Sequence, residues 1–176
     1  MKPDKRLRAS LLFICLAVKL SLPNSSIASD PLSASQITWK EHFGTSGADT
    51  NTLFSLMAHG YFRAESTNVQ PVMIAWLKDH PNAVVISVSS GGPLMTKPPS
   101  SKLVFVWVMQ GSDSLNVKLV RQGCFLPDTQ ILNPGEKLEV SQKDYQTFVQ
   151  RVVEAGKQAK KEKVGIWSEL PKRRII

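Results

Sequence analysis

An apolar run at residues 102–109 (KLVFVWVM) constrains the fold of this chain more than any other feature. Its β-branched and aromatic residues are typical of a β-strand. A second run of strand character lies at 83–88 (AVVISV), and a Gly-, Pro- and Ser-rich loop at 91–101 separates the two runs. The middle of the chain therefore predicts two strands joined by a long loop.

Helical patterns lie on both sides of these strands. Pro71 is well placed in the first turn of a helix that begins at residue 69, and His80 and Pro81 end that helix. Residues 115–122 predict a short helix that Gly123 stops. The buried side of the first helix is predicted to consist of Met73, Ile74, Trp76 and Leu77.

The clearest helix lies near the C-terminus. Ser141 and Asp144 resemble a capping box at its start, and Gly165 marks its exit. A single apolar stripe runs along it, formed by Tyr145, Phe148, Val149, Val152, Val153 and Gly156. These elements together predict an α+β domain with a long C-terminal helix.

The N-terminal 28 residues resemble an export signal, with a basic start, an apolar run at 11–18 and small residues before Ser29. That run is shorter than the roughly 20 apolar residues of a membrane span, so we expect no stable membrane span after cleavage. The alternative is an uncleaved, membrane-tethered N-terminus. Cleavage would place the protein in the periplasm or outside the cell.

We interpret residues 29–48 as an N-terminal tail or entry loop, 49–169 as the domain and 170–176 as a basic C-terminal tail.

Removal of the signal would also remove five Lys/Arg and one Asp, so the formal net charge would fall from +8 to +4. The whole-chain charge is therefore weak evidence for a nucleic-acid partner.

Cys124 would be the one remaining cysteine, and we interpret it as a buried small hydrophobe. The three histidines show no metal-ligand spacing, which favours surface or capping roles. We expect a monomer.

Residues 50–61 allow two interpretations. Leu53, Leu56, Met57 and Tyr61 fall at helical spacing, which predicts a helix with Asp49 as its cap. The alternative is a barrel strand, which would leave Asp49 in a strand turn. The choice matters because the helix would make the N-terminal half too short for three strands.

Three C-terminal segments, 119–123 (LVRQG), 158–163 (QAKKEK) and 166–169 (IWSE), resemble the staphylococcal (micrococcal) nuclease family, also called thermonuclease-like. The resemblance covers about 70–169. It implies an OB-fold-like, partial or remodelled β-barrel with packed helices. It also implies that Arg121 and Gln122 tie a helix to neighbouring backbone, and that Trp167 packs the C-terminus against the barrel.

The family hydrolyses DNA and RNA with Ca²⁺, held by acidic ligands, and with two arginines that neutralise charge on phosphorus. Residues 47–50 (GADT) resemble its D-G-D-T turn without the first acid, which makes Asp49 the candidate metal ligand. Lys102 occupies the position of the second arginine, and a lysine lacks the two-pronged geometry of a guanidinium. The catalytic half is therefore degenerate.

Arg63 and Glu65 complete the candidate constellation. The family's spacing from the 47–50 turn places residues 62–63 on its F-R pair, which makes Arg63 the first phosphate-binding arginine. The segment that should bring a second ligand and a general base falls on 68–71, which holds no carboxylate, and Glu65 is the nearest substitute. Ca²⁺ is expected as a cofactor only if the protein is catalytically active.

The basic part of the last helix suggests a binding surface. Lys157, Lys160 and Lys161 are candidates for contact with a nucleic-acid backbone, although a solvated helix face is the alternative. Three hypotheses follow: a non-catalytic or weakly active module that binds single-stranded nucleic acid or a protein, a calcium-dependent phosphodiesterase with a worn active site, and an envelope structural protein.

Overall fold

The protein is described by a computed structural model over residues 31–58, 69–91 and 102–169. These residues form an α+β fold, which confirms the predicted class. The strands are β1 Ile37–Lys40, β2 Phe43–Ser46, β3 Asp49–Ser55, β4 Val84–Gly91, β5 Lys102–Gln110 and β6 Asp113–Ser114. The helices are α1 Val69–Asp79, α2 Leu115–Arg121, α3 Gln142–Glu162 and α4 Ile166–Glu169, with 3₁₀ turns at Ala34–Gln36 and Pro127–Gln130.

The six strands form one mixed sheet in the order β1-β2-β3-β5-β4, with β6 on β5. The β3–β5 pair is parallel and the other pairs are antiparallel. An isolated antiparallel bridge joins Ser33 to Val84, and Ala34 N–H donates to the Ala83 carbonyl oxygen at 2.8 Å. The segment before β1 therefore contacts β4, which is the other end of the strand order.

The helix predicted over residues 50–61 is wrong, because Asp49–Ser55 is strand β3. It pairs on both sides, with Phe54 opposite Gly44 of β2 and Val104 of β5. Backbone hydrogen bonds from two neighbours override the weak local helical pattern. Consecutive residues from Phe54 to Ala58 are all buried, since the strand end enters the core, and this removes the two-residue alternation that identifies strands.

Within residues 29–48, which the sequence predicts as a tail or entry loop, residues 37–46 form the β1–β2 hairpin. The hairpin alternates more and less buried residues over only four residues in each strand, and Ile37 of β1 lies in the core with Trp39 packed against it. Gly44 makes the close packing possible: a Cβ at this position would lie 2.4 Å from Ile37 Cγ2 and 2.7 Å from Trp39 Cε3. Among the described residues, three strands therefore precede α1.

The other predicted helices and strands are confirmed. Ile74, which the sequence placed on the buried side of α1, is instead 57% exposed, and most of the loop predicted at 91–101 lies outside the described residues. At the C-terminal end of α1, His80 Nδ1 lies 2.8 Å from the Trp76 carbonyl oxygen, as the capping interpretation requires. Gly123 ends α2 with φ +65°. Ser141 caps α3 by accepting a hydrogen bond from Asp144 N–H at 3.1 Å. The exit of α3 comes slightly earlier than predicted, since Lys163 already adopts the left-handed conformation with φ 55°.

Helix α3 covers one face of the sheet through aromatic stacking. The Trp107 ring lies 4.1 Å from Phe148 and 6.4 Å from Tyr145, centroid to centroid, and is nearly parallel to both. Trp107 is only 6% exposed, so its ring is not available to stack on nucleic-acid bases. Within the described ranges, no helix combines the length and apolar character that a bilayer crossing requires.

Two further core residues have defined chemistry. Cys124 is fully buried, and burial raises the pKa of its thiol to about 11, which confirms its interpretation as an inert small hydrophobe. His42 is 2% exposed, so its predicted surface role is wrong. Its ring packs 4.0 Å from that of Phe43 and 6.2 Å from that of Phe125.

Asn116 is a buried polar residue that joins several elements. It lies on α2 among the buried Leu115, Leu119 and Val120, and is 1% exposed. Its Oδ1 accepts from Val108 N–H at 3.0 Å. Its Nδ2 donates to three oxygens at 3.0–3.1 Å, those of the Leu56 and Val106 carbonyls and of the Gln130 side chain. One amide side chain therefore connects α2 to β5, to the segment after β3 and to the second 3₁₀ turn.

Candidate functional site

The parallel β3–β5 pair brings two of the predicted site residues to the same edge of the sheet. Thr52 of β3 lies opposite Lys102, the first residue of β5, and Asp49 is the first residue of β3. Parallel strands begin at the same edge, so their first residues share it. Asp49 and Lys102 are both exposed there.

The Asp49 carboxylate is held by its own strand. Its Oδ1 accepts from Asn51 N–H at 2.9 Å, and its Oδ2 accepts from the Thr52 hydroxyl at 2.5 Å. These hydrogen bonds, that of the Thr52 hydroxyl above all, lower the pKa of Asp49, and the charge of Lys102 adds a smaller effect in the same direction. Asp49 therefore carries a negative charge at neutral pH. Its hydrogen bonds to Asn51 and Thr52 form a local turn motif, where the sequence had predicted a helix cap.

Two predicted catalytic residues, Arg63 and Glu65, lie outside the described residues. Within the described ranges no group of three or more His, Cys, Asp or Glu residues is arranged to hold a metal ion. Calcium takes six to eight oxygen ligands. Of the predicted acidic residues, Asp49 is the one that the structure describes, and the positive charge of Lys102 acts on it.

The three predicted nucleic-acid-binding lysines lie on the exposed side of the last turns of α3. Lys157 Nζ lies 3.6 Å from Glu154 Oε2, in an ion pair that is open to solvent. Lys160 Nζ lies 5.4 Å from the centroid of the Trp167 ring, within cation–π range. Lys161 is exposed one turn from Lys157. The helix therefore presents these cations on one basic strip.

Arg121 differs from the role that the resemblance implied. Its Nη2 donates to Glu162 Oε1 at 2.7 Å, which ties α2 to the end of α3 through a side chain rather than through backbone. This hydrogen bond is the main cause that lowers the pKa of Glu162. The α2–α4 junction is also tight, because Ile166 N–H donates to the Gly123 carbonyl oxygen at 2.9 Å.

A second polar site was not found from the sequence. A cleft of about 310 Å³ lies between the end of α1, the β6–α2 turn and α3. Its charged and aromatic lining consists of Trp76, His80, Asp113, Lys118, Arg121 and Arg151. These residues come from three separated stretches of chain, so no local motif marks them. The one available signal was His80 next to a helix end, which predicts capping and nothing more.

Comparison with known proteins adds no relative: no protein-family model matches the sequence, and no curated protein matches it significantly. The likeness of 119–123 and 158–169 to a nuclease family therefore remains a prediction.

Proposed function

We propose that this chain is an exported OB-fold-like module, similar to the staphylococcal nuclease family, that binds single-stranded nucleic acid without efficient hydrolysis. The observation that carries the proposal is the parallel β3–β5 pairing, which leaves Lys102 exposed opposite Thr52, three residues after Asp49. A cation at this position can contact a phosphate group, and Asp49 next to it limits how closely a second phosphate can approach.

The strand order supports the OB-fold part of the proposal. An OB-fold is a five-stranded, partly open barrel that binds oligonucleotides on the face of its second and third strands. Here five strands follow the order β1-β2-β3-β5-β4, and the Ser33–Val84 bridge joins the two ends of that order. Strand β3, with Asp49 at its start, would then lie on the binding face.

The charges favour binding over hydrolysis. Phosphodiester cleavage requires several aimed positive charges and a well-ligated metal, and such electrostatic stabilisation is a large part of catalysis. Of the predicted site residues, the structure places one carboxylate, Asp49, and one lysine, Lys102, at the β3–β5 edge. A lysine binds phosphate as a point charge and lacks the paired donors of arginine.

The basic strip of α3 extends the proposed contact. Lys157, Lys160 and Lys161 would contact phosphates in a sequence-independent way. Each neutralised phosphate of a single strand contributes about 0.7 to the slope of log K against log salt. Binding should therefore weaken steeply with salt, and each lysine removed should reduce the slope.

The test is fluorescence anisotropy of a labelled single-stranded DNA with the purified protein over a range of salt concentrations. Lys102→Ala should weaken binding and reduce the salt slope by about 0.7, the share of one phosphate contact. Lys143→Ala is the matched control, because Lys143 is an exposed lysine in the first turn of α3. Equal effects of the two substitutions would refute a contact at the β3–β5 edge. Absence of binding would favour a protein partner or a structural role.

The second candidate function is a weak calcium-dependent phosphodiesterase. It is favoured by one observation: β3 is a strand that starts at Asp49, as a metal ligand in a strand turn requires. On this hypothesis Asp49 holds Ca²⁺, Arg63 and Lys102 contact phosphate, and Glu65 prepares the attacking water.

Cleavage of single-stranded DNA and RNA with calcium and with chelator tests this candidate. The enzyme concentration should be high enough to reveal a rate deficit of about a million-fold, or about 8 kcal/mol. Calcium-dependent cleavage that the Arg63→Ala, Lys102→Ala double variant loses would establish the phosphodiesterase. Cleavage that the double variant retains would indicate a contaminating nuclease.

A further inference from the structure

The cleft at the end of α1 lies far from the β3–β5 edge. Lys102 begins β5, and Gln110 at the other end pairs with Asp113, which lines the cleft. Eight residue steps at roughly 3.3 Å separate the two ends of the strand by about 26 Å. A ligand in the cleft would therefore occupy a site separate from Asp49 and Lys102.

His80 forms a fixed wall of the cleft. Its ring stacks on Trp76 with centroids 3.9 Å apart and an interplanar angle of 7°. Its Nδ1 lies 2.8 Å from the Trp76 carbonyl oxygen, and its Nε2 lies 3.4 Å from Asp113 Oδ2. A neutral imidazole donates from one nitrogen, and the shorter contact assigns that hydrogen bond to Nδ1. His80 therefore forms a wall of the cleft, with Asp113 beside its Nε2.

Three cations line the same space. Arg151 reaches across from α3 and donates from Nη2 to the Ser112 carbonyl oxygen at 2.5 Å, which fixes its guanidinium at the rim. Arg121 pairs with Glu162 at 2.7 Å. Lys118 is exposed, and no ion pair to it occurs among the residues that the structure describes. Glu162 compensates Arg121 and Asp113 is the lining carboxylate, so the three cations leave an excess of one positive charge at the cleft.

We propose that this cleft binds the phosphate group of a small phosphate monoester. The positive lining attracts a dianionic phosphate more strongly than a singly charged group, and arginine supplies directional donors to phosphate oxygens. The volume of about 310 Å³ lies at the small end of ligand pockets. The cleft therefore suits a small phosphorylated molecule. This proposal is independent of the nucleic-acid proposal, because it involves neither Lys102 nor the α3 lysine strip.

Isothermal titration of the purified protein with inorganic phosphate, ribose 5-phosphate and dimethyl phosphate tests the proposal. The two dianions should bind, and dimethyl phosphate, a diester with one charge, should bind at least about tenfold more weakly. Lys118→Glu should weaken phosphate binding by at least about tenfold, because it removes a cation and adds an anion in the cleft. Lys118 is exposed, so the fold should tolerate this substitution, which an unchanged melting temperature would verify.

Lys143→Glu is the matched control, since it makes the same change of charge on an exposed residue outside the cleft. It should leave phosphate binding within about twofold of wild type, since distant surface charges are screened by salt. Equal weakening by both substitutions would reduce the effect to general electrostatics and overturn the proposal. So would the absence of phosphate binding at concentrations where a Kd of about 1 mM is measurable. Equal affinity for the diester would also overturn it, and would indicate a nucleic-acid backbone as the ligand.

Discussion

Asn116→Ala should be among the most destabilising single substitutions in this domain. The Asn116 side chain is 1% exposed and makes four hydrogen bonds, one as acceptor and three as donor. An alanine would leave the Val108 N–H and several buried oxygens without these partners. Water cannot easily replace them, because the neighbouring residues on α2 are fully buried.

The magnitude follows from the groups that lose partners. A buried N–H without an acceptor costs about 1–3 kcal/mol. The two amide protons serve three oxygens, and their loss adds about 1 kcal/mol for each proton. The expected loss is therefore about 3–5 kcal/mol of the unfolding free energy, a large share of the about 5–15 kcal/mol that a domain has.

Urea denaturation followed by tryptophan fluorescence and far-UV circular dichroism measures this change. The m-value should stay constant while the midpoint falls, as for a pure loss of stability. Asn51→Ala is the control, because Asn51 is exposed on β3, and its cost should stay within about 0.5 kcal/mol. A loss below about 1 kcal/mol for Asn116→Ala would refute the argument that this side chain holds the elements together.

Three further predictions concern the α2–α3 region. Gly123→Ala should lower the free energy of unfolding by more than about 2 kcal/mol, because Gly123 has φ +65° and an added Cβ would lie 2.2 Å from a backbone oxygen. Gly111→Ala is the control: its φ is +58° but the space around it is open, so the melting temperature should fall far less than for Gly123→Ala. The Cys124 thiol should resist alkylation in the native state. The free energy of unfolding should fall by about 1.4 kcal/mol per pH unit between pH 9 and the folded pKa of about 11, because the native state binds the thiol proton more tightly than the unfolded state. Cys124→Ala should not show this fall at alkaline pH. The fold lowers the pKa of Glu162, so Glu162→Gln should reduce the free energy of unfolding at a pH above 4.5, the ordinary pKa of a glutamate. The difference between wild type and variant should vanish as the pH falls through the lowered pKa, and urea titrations at several pH values measure it.

The elements that the sequence predicted correctly are those whose burial follows a simple period. Helix α3 is amphipathic over its whole length and begins at a Ser141 cap, so pattern and capping indicate the same structure. Strand β5 is a continuous apolar run because α3 covers one face and neighbouring strands flank it. In both cases local sequence and tertiary packing agree, which makes prediction from one sequence reliable.

The features that escaped prediction depend on distant contacts. Strand β3 is defined by its two partner strands, and the buried stretch from Phe54 onward hides its alternation. Asn116 was visible as a polar residue inside the apolar stripe of α2, but its four partners come from separate segments. The cleft has the same origin, because α1, α2 and α3 each contribute part of its lining. Only the topology brings these residues together.

The strand assignment of β3 changes the argument about catalysis. The sequence offered two reasons against activity: a missing barrel strand, and missing acidic and arginine residues. The structure removes the first reason, since three strands precede α1 and Asp49 begins the third. The second reason is chemical and stands, because Lys102 keeps the positive charge at the β3–β5 edge without the paired donors of a guanidinium. Lys102→Arg therefore distinguishes the two hypotheses. It should restore bidentate phosphate contact and raise calcium-dependent cleavage if Asp49 holds the metal, and it should raise only DNA affinity if the site binds without hydrolysis.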